Sequence, residues 1–348
     1  HTPWRDNGIK LFPAGGRKLP DAVEARLEAE YAALVGRPVE TTGVSEVALG
    51  LDGYAAAVVA SLEDRRLDGL RVVVDCANGA ASTIAPEVLR SLGARVDVLG
   101  DAPDGRNINE GCGSTHPEGL AAAVVATGAA VGLAFDGDAD RVLAVDERGA
   151  LIDGDRLIAL CAVDLHARGR LRGGAVVVTV MTNLGFRRAM AAQGIAVIET
   201  AVGDRYVLEA LDAAGASLGG EQSGHVIFRD LATTGDGLLT GVQVLDLLVR
   251  SGRPLSELAA SAFESVPQVL RNVAVARRDP DIARTLAAAI AAEERHLGDR
   301  GRVLVRPSGT EPLIRVMVEA VDPDDAEQVA GRLVAEVEAV CGAAAPGA

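Results

Sequence analysis

The stretch AAVGLAFDGDADRVLAV, residues 129–145, decides the fold because it joins two apolar runs through an acidic turn. Both runs have the length and composition of buried strands, so the pattern predicts a strand on either side of the turn. Within the turn, Asp136, Asp138 and Asp140 occupy every second position. Carboxylates with this spacing can direct their oxygens at one hard cation, and oxygen ligands favour Mg²⁺ or Ca²⁺ over zinc. The stretch therefore predicts a metal site at a strand end.

The acidic turn has three other possible interpretations. An EF-hand loop needs glycine at its sixth position, where this chain has Arg141, and the following residues alternate like a strand. A single aspartyl nucleophile would not require three acids. A solvated acidic turn is the plainest alternative, but the regular spacing at a strand end favours a metal. Arg141 would add a cation where an anionic substrate would lie.

The rest of the chain alternates between helical and strand patterns, which is typical of α/β layers. The helical patterns include residues 49–66 and 281–296. The sequence predicts two α/β domains with mixed sheets and a smaller α+β domain at the C-terminus. Boundaries are expected near residues 48, 150 and 264. The predicted regions are residues 1–48, 49–150, 151–264 and 265–348.

Composition excludes several classes of protein. At 348 residues with a formal charge of −15, the chain is expected to bind neither nucleic acid nor an anionic membrane surface. The apolar stretch at residues 121–135 is too short to span a bilayer, and no signal peptide is visible. The four cysteines show no Cys-x-x-Cys pair and are interpreted as reduced thiols. A cytoplasmic location is expected.

A second loop, GGEQSGH at residues 219–225, has the composition of a sugar-hydroxyl site. Glu221 and Ser223 can accept and donate hydrogen bonds to neighbouring hydroxyls, and such contacts give specificity. His225 is more often structural when it stands alone, but its pKa range permits proton transfer. The alternative is a glycine-rich hairpin whose polar residues face water.

A third loop, RPSGTE at residues 306–311, predicts a phosphate cradle. Ser308, Gly309 and Thr310 offer hydroxyls and backbone N–H groups that can approach an anion closely. Arg306 can add a bidentate clamp. The alternative is an ordinary Pro-Ser-Gly turn between two strands.

Taken together, these loops resemble the alpha-D-phosphohexomutase superfamily over essentially the whole chain. The resemblance also rests on HTPWRDNGIK at residues 1–10, NINEGCGSTHPE at 107–118 and VGDRYV at 202–207. The metal, sugar and phosphate loops are shared by the superfamily. The stretches at residues 112–118 and 203–207 favour its amino-sugar branch.

The resemblance implies roles for further residues. In relatives, a phosphoserine immediately precedes the histidine that matches His1, so a phosphoserine nucleophile is expected just upstream of this sequence. Lys10, Arg141 and His225 would act at the reaction centre. Other positions that match substrate-binding positions of the family are Gly203, Asp204, Arg205, Glu221, Ser223, His225, Arg306, Ser308, Gly309, Thr310 and Arg315.

The activity that the resemblance implies is exchange of a phosphoryl group between the 6- and 1-hydroxyls of glucosamine through a 1,6-bisphosphate. Its implied cofactors are one Mg²⁺ per chain, held by Asp136, Asp138 and Asp140, and glucosamine or glucose 1,6-bisphosphate as activator. The expected partner is a small phosphosugar, and a homodimer is compatible with the resemblance. The rival interpretations are a phosphomannomutase or phosphoglucomutase, and a non-catalytic phosphosugar-binding fragment if the upstream serine is truly absent.

Overall fold

A computed structural model describes residues 3–6, 11–13, 16, 19–37, 50–277, 279–308 and 313–342. The described residues form two compact units. The first lies within residues 1–179 and 194–261, and the second lies within residues 180–193 and 262–348.

The first unit contains a five-stranded sheet that carries the acidic turn. Its strands run in the order β2-β1-β3-β4-β5. The elements in chain order are α1 (Asp21–Leu34), α2 (Asp52–Ala60), β1 (Arg71–Asp75), α3 (Ala81–Ser91), β2 (Arg95–Leu99), α4 (Glu118–Thr127), β3 (Val131–Phe135), β4 (Val142–Asp146) and β5 (Leu151–Ile152). Strands β1, β2 and β3 are parallel, whereas β4 pairs with β3 and β5 in the antiparallel sense. All residues of β3 and β4 are buried, as their continuous apolar runs predict.

A four-stranded sheet in the same unit has the order β7-β6-β8-β9. The next elements of the chain are α5 (Gly154–Ala167), β6 (Ala175–Thr179), α6 (Leu184–Ala192), β7 (Ala196–Thr200), α7 (Asp204–Ala214), β8 (Leu218–Gly220), β9 (Val226–Phe228), α8 (Gly237–Ser251) and α9 (Leu255–Ala262). Only the last pair, β8 and β9, is antiparallel. Helix α6 belongs to the second unit, although it connects two strands of this sheet.

The second unit is built on a three-stranded antiparallel sheet of order β10-β12-β11. Its elements are β10 (Gln268–Ala274), α10 (Ile282–Thr285), α11 (Ala287–Leu297), β11 (Gly301–Pro307), β12 (Leu313–Ala320) and α12 (Pro323–Cys341). One face of the sheet buries alternate apolar residues, including Val305, Val316 and Val318, in a core shared with α12. The opposite face carries both polar residues, such as Arg306 and Glu319, and apolar ones, such as Leu304 and Met317.

The structure confirms the predicted multi-domain α/β class but corrects several element bounds. The helix predicted over residues 49–66 spans only α2, because the chain turns after Ala60 and Glu63 and Asp64 adopt left-handed backbone angles. The single helix predicted over residues 281–296 is interrupted at Leu286, between α10 and α11. Strands β5, β8 and β9 were not predicted because runs of two or three residues carry almost no periodic signal.

No helix among the described segments is long and apolar enough to cross a membrane.

Candidate active site

The acidic turn closes the hairpin between β3 and β4. One carboxylate oxygen from each of Asp136, Asp138 and Asp140 lies within 4.8 Å of the others. The backbone N–H of Arg141 donates to Asp136 Oδ1 at 3.1 Å, and that of Ala139 donates to the Asp136 carbonyl at 3.0 Å. The left-handed φ of +59° at Ala139 completes the turn. The hairpin thus brings the predicted metal ligands together.

The electrostatics of the turn fit a divalent cation. Asp136 is 2% exposed, and burial raises its pKa to about 7, with further contributions from Asp140 and Asp138. Such a rise means that three ionised carboxylates are unfavourable here without a compensating charge. An oxygen-only set of this kind suits Mg²⁺, so the residues present fit the ion that the family implies. Arg141 lies beside the set, with its Nε 3.7 Å from Asp140 Oδ1.

Three glycines allow close contacts around the turn, because a side chain at any of these positions would overlap a neighbouring atom. A Cβ added at Gly79 would lie 2.2 Å from the Gly137 carbonyl oxygen. A Cβ at Gly137 would lie 2.6 Å from Asn109 Nδ2, and one at Gly113 would lie 2.5 Å from the Phe135 carbonyl oxygen. The stretch at residues 107–118 therefore packs directly against the acidic turn.

Two further carboxylates support the turn and were missed from sequence. Asp75, which is 2% exposed at the end of β1, accepts hydrogen bonds from the backbone N–H groups of Ala77 at 3.0 Å and Gly113 at 2.8 Å. Asp236 accepts from Tyr54 Oη at 2.9 Å and caps α8. The residue after it, Gly237, donates its N–H to the Ala139 carbonyl at 2.9 Å. The Asp-Gly pair before a helical pattern was the available signal for this cap.

The sugar loop connects β8 and β9 and lies against the start of β4. The backbone N–H of Val142 donates to the Gly224 carbonyl at 3.1 Å. Glu221 Oε1 accepts from the backbone N–H of Gly203 at 3.0 Å, and Ser223 is exposed. The loop is therefore adjacent to the acidic turn and to the start of α7.

His225 is a buried residue, with 1% of its surface exposed. Its Nε2 lies 3.7 Å from Asp204 Oδ2, and a Cβ at Gly235 would lie only 2.3 Å from that nitrogen. Neither ring nitrogen has a hydrogen-bond partner within the described residues. Burial lowers the pKa of His225, and Asp140 and Asp204 oppose that shift. The structure thus brings a neutral imidazole within electrostatic reach of the acidic turn.

Asp204 and Arg205 are the first two residues of α7. The cap position is Gly203, whose φ of +136° is accessible to glycine. Arg205 pairs with Glu209 on the same helix, Nε to Oε1, at 2.8 Å. Asp204 is directed towards His225, so Gly203, Asp204, Glu221 and His225 form one cluster.

The predicted phosphate cradle lies in the second unit. Arg306 on β11 stands opposite Arg315 on β12. Burial lowers the pKa of Arg306, and the charge of Arg315 lowers it further. An anion would relieve both effects. Ser308 is 1% exposed, and its backbone N–H closes the loop by donating to the Leu313 carbonyl at 2.8 Å.

Four predicted positions, His1, Lys10, Gly309 and Thr310, lie outside the described residues. The others fall into two groups. The first unit brings together Asp136, Asp138, Asp140, Arg141, Gly203, Asp204, Arg205, Glu221, Ser223 and His225. The second unit holds Arg306, Ser308 and Arg315. Their roles stay predictions.

The fold is that of a multi-domain α/β protein in which three grouped carboxylates could hold one cation. Sequence models of the phosphoglucomutase/phosphomannomutase family match most of this chain. The alpha/beta/alpha domain II model matches residues 52–149, the alpha/beta/alpha domain III model matches 153–266, and the C-terminal domain model matches 270–336. The chain belongs to this family, which confirms the resemblance to the phosphohexomutases.

Individual relatives agree with the family match. The phosphoglucosamine mutase of Moorella thermoacetica is 54% identical over 335 residues, covering 94% of this chain and 75% of the relative. The phosphoglucosamine mutase of Frankia alni is 55% identical over 343 residues, covering 97% of this chain and 75% of the relative. A solved phosphoglucomutase/phosphomannomutase family protein from Burkholderia thailandensis has a TM-score of 0.76 at 26% identity, covering 95% of this chain and 73% of that one. The N-acetylphosphoglucosamine mutase of Aspergillus fumigatus, solved with GlcNAc-6P and magnesium, shares the fold with a TM-score of 0.68 at 22% identity, covering 82% and 64%.

Proposed function

We propose that this protein interconverts glucosamine 6-phosphate and glucosamine 1-phosphate, supplying the 1-phosphate for UDP-N-acetylglucosamine and cell-wall synthesis. The observation that carries phosphoryl transfer is the grouping of three carboxylates, Arg141 and a buried histidine in the first unit. The amino sugar is supported by the relatives that are 54% and 55% identical and are named phosphoglucosamine mutases.

Asp136, Asp138 and Asp140 would hold one Mg²⁺ per chain. When bound, the ion supplies neutralisation of the charge on a phosphoryl group in transfer. The support is the raised pKa of Asp136, caused mainly by burial and then by its two neighbouring carboxylates. The structural neighbour from Aspergillus fumigatus was solved with magnesium. A variant of the same Aspergillus fumigatus protein was solved with glucose 1,6-bisphosphate, and we propose that compound or its glucosamine equivalent as the activator.

The residues around the turn would bind and orient the substrate. Glu221 and Ser223 would bind hydroxyls of the sugar, and Gly203, Asp204 and Arg205 would orient it. Glu221 already accepts a hydrogen bond from the Gly203 N–H, so both groups share one wall of the site.

Three side chains would act on the transferred group itself. Arg141 and Lys10 would stabilise the negative charge of the phosphoryl group. The serine expected upstream of His1 would carry the phosphoryl group as phosphoserine. His225 would exchange a proton with a sugar hydroxyl, which its neutral form permits. Because its ring is buried against Gly235, this role requires local opening of the chain around residue 235.

The second unit would hold the phosphate that is not being transferred. Arg306, Ser308, Gly309, Thr310 and Arg315 would bind it, first at one end of the sugar and then at the other. Because the chain has a net charge of −15, an anion must be attracted by a local group of cations. The facing side chains of Arg306 and Arg315 supply that positive charge.

We also propose four domains with boundaries near residues 48, 150 and 264. The family models support this division, since their matches begin at residues 52, 153 and 270. The region before residue 48 would belong to the domain that carries the serine.

Comparing three substrates tests the proposed activity. Intact-mass measurement first establishes that the protein carries a phosphoserine, and rates are then measured with glucosamine, glucose and mannose 6-phosphates. We expect the highest kcat/KM with glucosamine 6-phosphate. A higher value with glucose or mannose would contradict the amino-sugar assignment. Binding without turnover by the phosphorylated protein would favour a phosphosugar-binding protein.

A further inference from the structure

The face of the second unit's sheet that lies opposite the α12 core carries two groups of charged residues. In the strand register, Arg306 lies opposite Arg315 near one end. Towards the other end, Glu319 lies opposite Arg302 on one side and Gln268 on the other. Directly paired residues of antiparallel strands lie on the same face. The phosphate-binding arginines therefore share a surface with a second ionic group.

Glu319 is fully buried, with 0% of its surface exposed, and accepts four hydrogen bonds. Its Oε1 accepts from Asn183 Nδ2 at 3.0 Å and from Gln268 Nε2 at 2.9 Å. Its Oε2 accepts from the backbone N–H of Leu184 at 3.0 Å and from Arg302 Nε at 2.5 Å. This carboxylate therefore anchors the segment just before α6 to β12.

Arg302 spreads its guanidinium between the carboxylate and the same segment. Besides its bond to Glu319, it donates from Nη1 to the Val180 carbonyl at 2.8 Å and from Nη2 to the Thr182 carbonyl at 2.6 Å. A planar fork can satisfy three acceptors in fixed directions, which the single ammonium of lysine cannot do. Residues 180 and 182 are thus held at a defined position on the sheet face.

Asn183 fixes the far end of the segment. Its Oδ1 accepts from the backbone N–H groups of Gly185 and Val266, both at 2.9 Å. Its Nδ2 donates to the Val266 carbonyl at 2.9 Å as well as to Glu319. The segment at residues 180–183 is therefore bound both to the sheet and to the chain that enters β10.

Met181 lies between the two carbonyls that Arg302 holds. Its Sδ is 3.8 Å from Nη2 of Arg306, within the range of a weak hydrogen bond to sulfur. The guanidinium of Arg306 therefore rests against a residue whose backbone is fixed by Arg302 on either side.

We propose that Glu319, Arg302 and Asn183 are positioning residues for Arg306, and that they act through Met181. The proposal rests on the phosphate-binding role of Arg306 in the proposed function. Replacing a buried ion pair by packed apolar residues is often neutral or stabilising, so stability alone does not explain this network. The network is explained if its directional hydrogen bonds hold Met181 in contact with the guanidinium of Arg306.

The test compares Arg302→Lys, Met181→Ala and Arg306→Ala with the wild-type protein. Arg302→Lys keeps the charge opposite Glu319 but loses the bonds to the two carbonyls, and Met181→Ala leaves the network intact. Calorimetry measures the Kd for glucosamine 6-phosphate, and steady-state rates separate KM from kcat. We expect Arg302→Lys and Met181→Ala each to raise Kd about tenfold, with KM rising more than kcat falls.

Two controls separate positioning from folding. Val329→Ala opens a cavity in the core on the opposite sheet face, and Arg271→Ala breaks an exposed ion pair with Glu327. Both should leave Kd within about twofold of the wild-type value, although Val329→Ala should lower Tm. The double variant Met181→Ala/Arg302→Lys should bind no more weakly than the weaker single variant, because both changes act through the same contact.

The outcomes distinguish this proposal from the proposed function. If Arg306→Ala weakens binding while Arg302→Lys and Met181→Ala leave Kd unchanged, the cradle stands and the positioning role is overturned. Full additivity in the double variant would also overturn it. If Arg306→Ala itself leaves Kd unchanged, the phosphate-binding part of the proposed function fails, and the positioning role fails with it.

Discussion

Asp136 combines deep burial with two neighbouring carboxylates, and together these raise its pKa to about 7. An aspartate in the unfolded chain titrates near pH 4. Between these values the folded protein binds a proton that the unfolded chain has released. The stabilisation from this proton is complete below about pH 4 and is lost as the pH rises through the folded-state pKa.

We therefore expect the metal-free protein to lose thermal stability between about pH 4 and 7, because over this range the folded protein holds a proton on Asp136 that the unfolded chain has released. Asp138→Asn should make this decline smaller and end it at a lower pH, since removing one neighbouring charge lowers the folded-state pKa of Asp136. Added Mg²⁺ should abolish the decline in the wild-type protein but not in the variant. The measurement is Tm against pH in chelator and in Mg²⁺. The lowered pKa of His225 makes stability rise with pH instead, but this contribution is present in both the wild-type protein and the Asp138→Asn variant. A decline of equal size that ends at the same pH in wild type and variant would contradict the prediction.

Arg306 can contribute to phosphate binding in two ways, through its positive charge and through the planar geometry of its guanidinium. Arg306→Ala should weaken phosphosugar binding by roughly 1.5–3 kcal/mol, on the order of ten- to a hundred-fold in Kd. Arg306→Lys should recover only part of this loss because an ammonium cannot bind two phosphate oxygens in a planar fork. Calorimetry with glucosamine 6-phosphate measures both values, and full recovery by lysine would contradict the bidentate contact.

The β3–β4 hairpin shows how an element depends on residues distant in the chain. Its turn is held by an Arg141 N–H bond within the hairpin and by a Gly237 N–H bond from the start of α8. Gly79 and Gly113 let two other segments approach its backbone. The shape of the acidic turn thus depends on segments that are distant from it in the chain.

Gly79→Ala should distort this turn because its new methyl group would overlap the Gly137 carbonyl oxygen, 2.2 Å away. We expect lower Mg²⁺ affinity and a stability loss of about 1–3 kcal/mol, as in overpacked sites. Gly119→Ala is the matched control, since it lies on the exposed face of α4 with no atom within 4 Å of its new methyl group. It should raise stability by up to about 1 kcal/mol. Urea denaturation and Mg²⁺ titration measure the effects, and unchanged Mg²⁺ affinity in Gly79→Ala would contradict the prediction.

At the scale of the whole molecule, an ionic chain joins two family domains within the first unit. Asp246 on α8 is 1% exposed and accepts from the Nε atoms of Arg65 and Arg250, both at 2.8 Å. Arg250 also forms a bidentate pair with Asp164 on α5. Arg65 lies in the region matched by the domain II model, and the other three residues lie in that of domain III. The contact is one link between the two regions that carry the sheets of this unit.

Asp246→Ala should destabilise this unit because it leaves two arginines without their shared buried partner. Breaking a fully buried pair costs about 3–5 kcal/mol, and the partial exposure of both arginines reduces the expected loss to about 2–3 kcal/mol. Asp68→Ala removes the exposed partner of Arg66 and should change stability by less than about 1 kcal/mol. Urea denaturation compares the two variants, and equal effects would refute the coupling.

The amino-acid sequence alone was sufficient to predict the α/β class, the acidic turn and the family. These features depend on local spacing: apolar runs predict strands, and alternate carboxylates in a turn at a strand end predict a cation site. The interruption between α10 and α11 escaped prediction because Leu286 continues a helical composition while its backbone departs from helical angles. Short strands such as β8 and β9 could not be predicted because they form only by pairing with strands elsewhere in the chain.

Only the tertiary structure decided which distant residues support the site. Asn183 and Glu319 are 136 positions apart yet bond at 3.0 Å, and Arg302 reaches carbonyls 120 and 122 positions away. The burial of His225 against Gly235 likewise follows from the packing of a loop and a strand end that have no common sequence pattern. Local periodicity can specify an element and its buried face, but the partners of a polar side chain depend on how the elements pack.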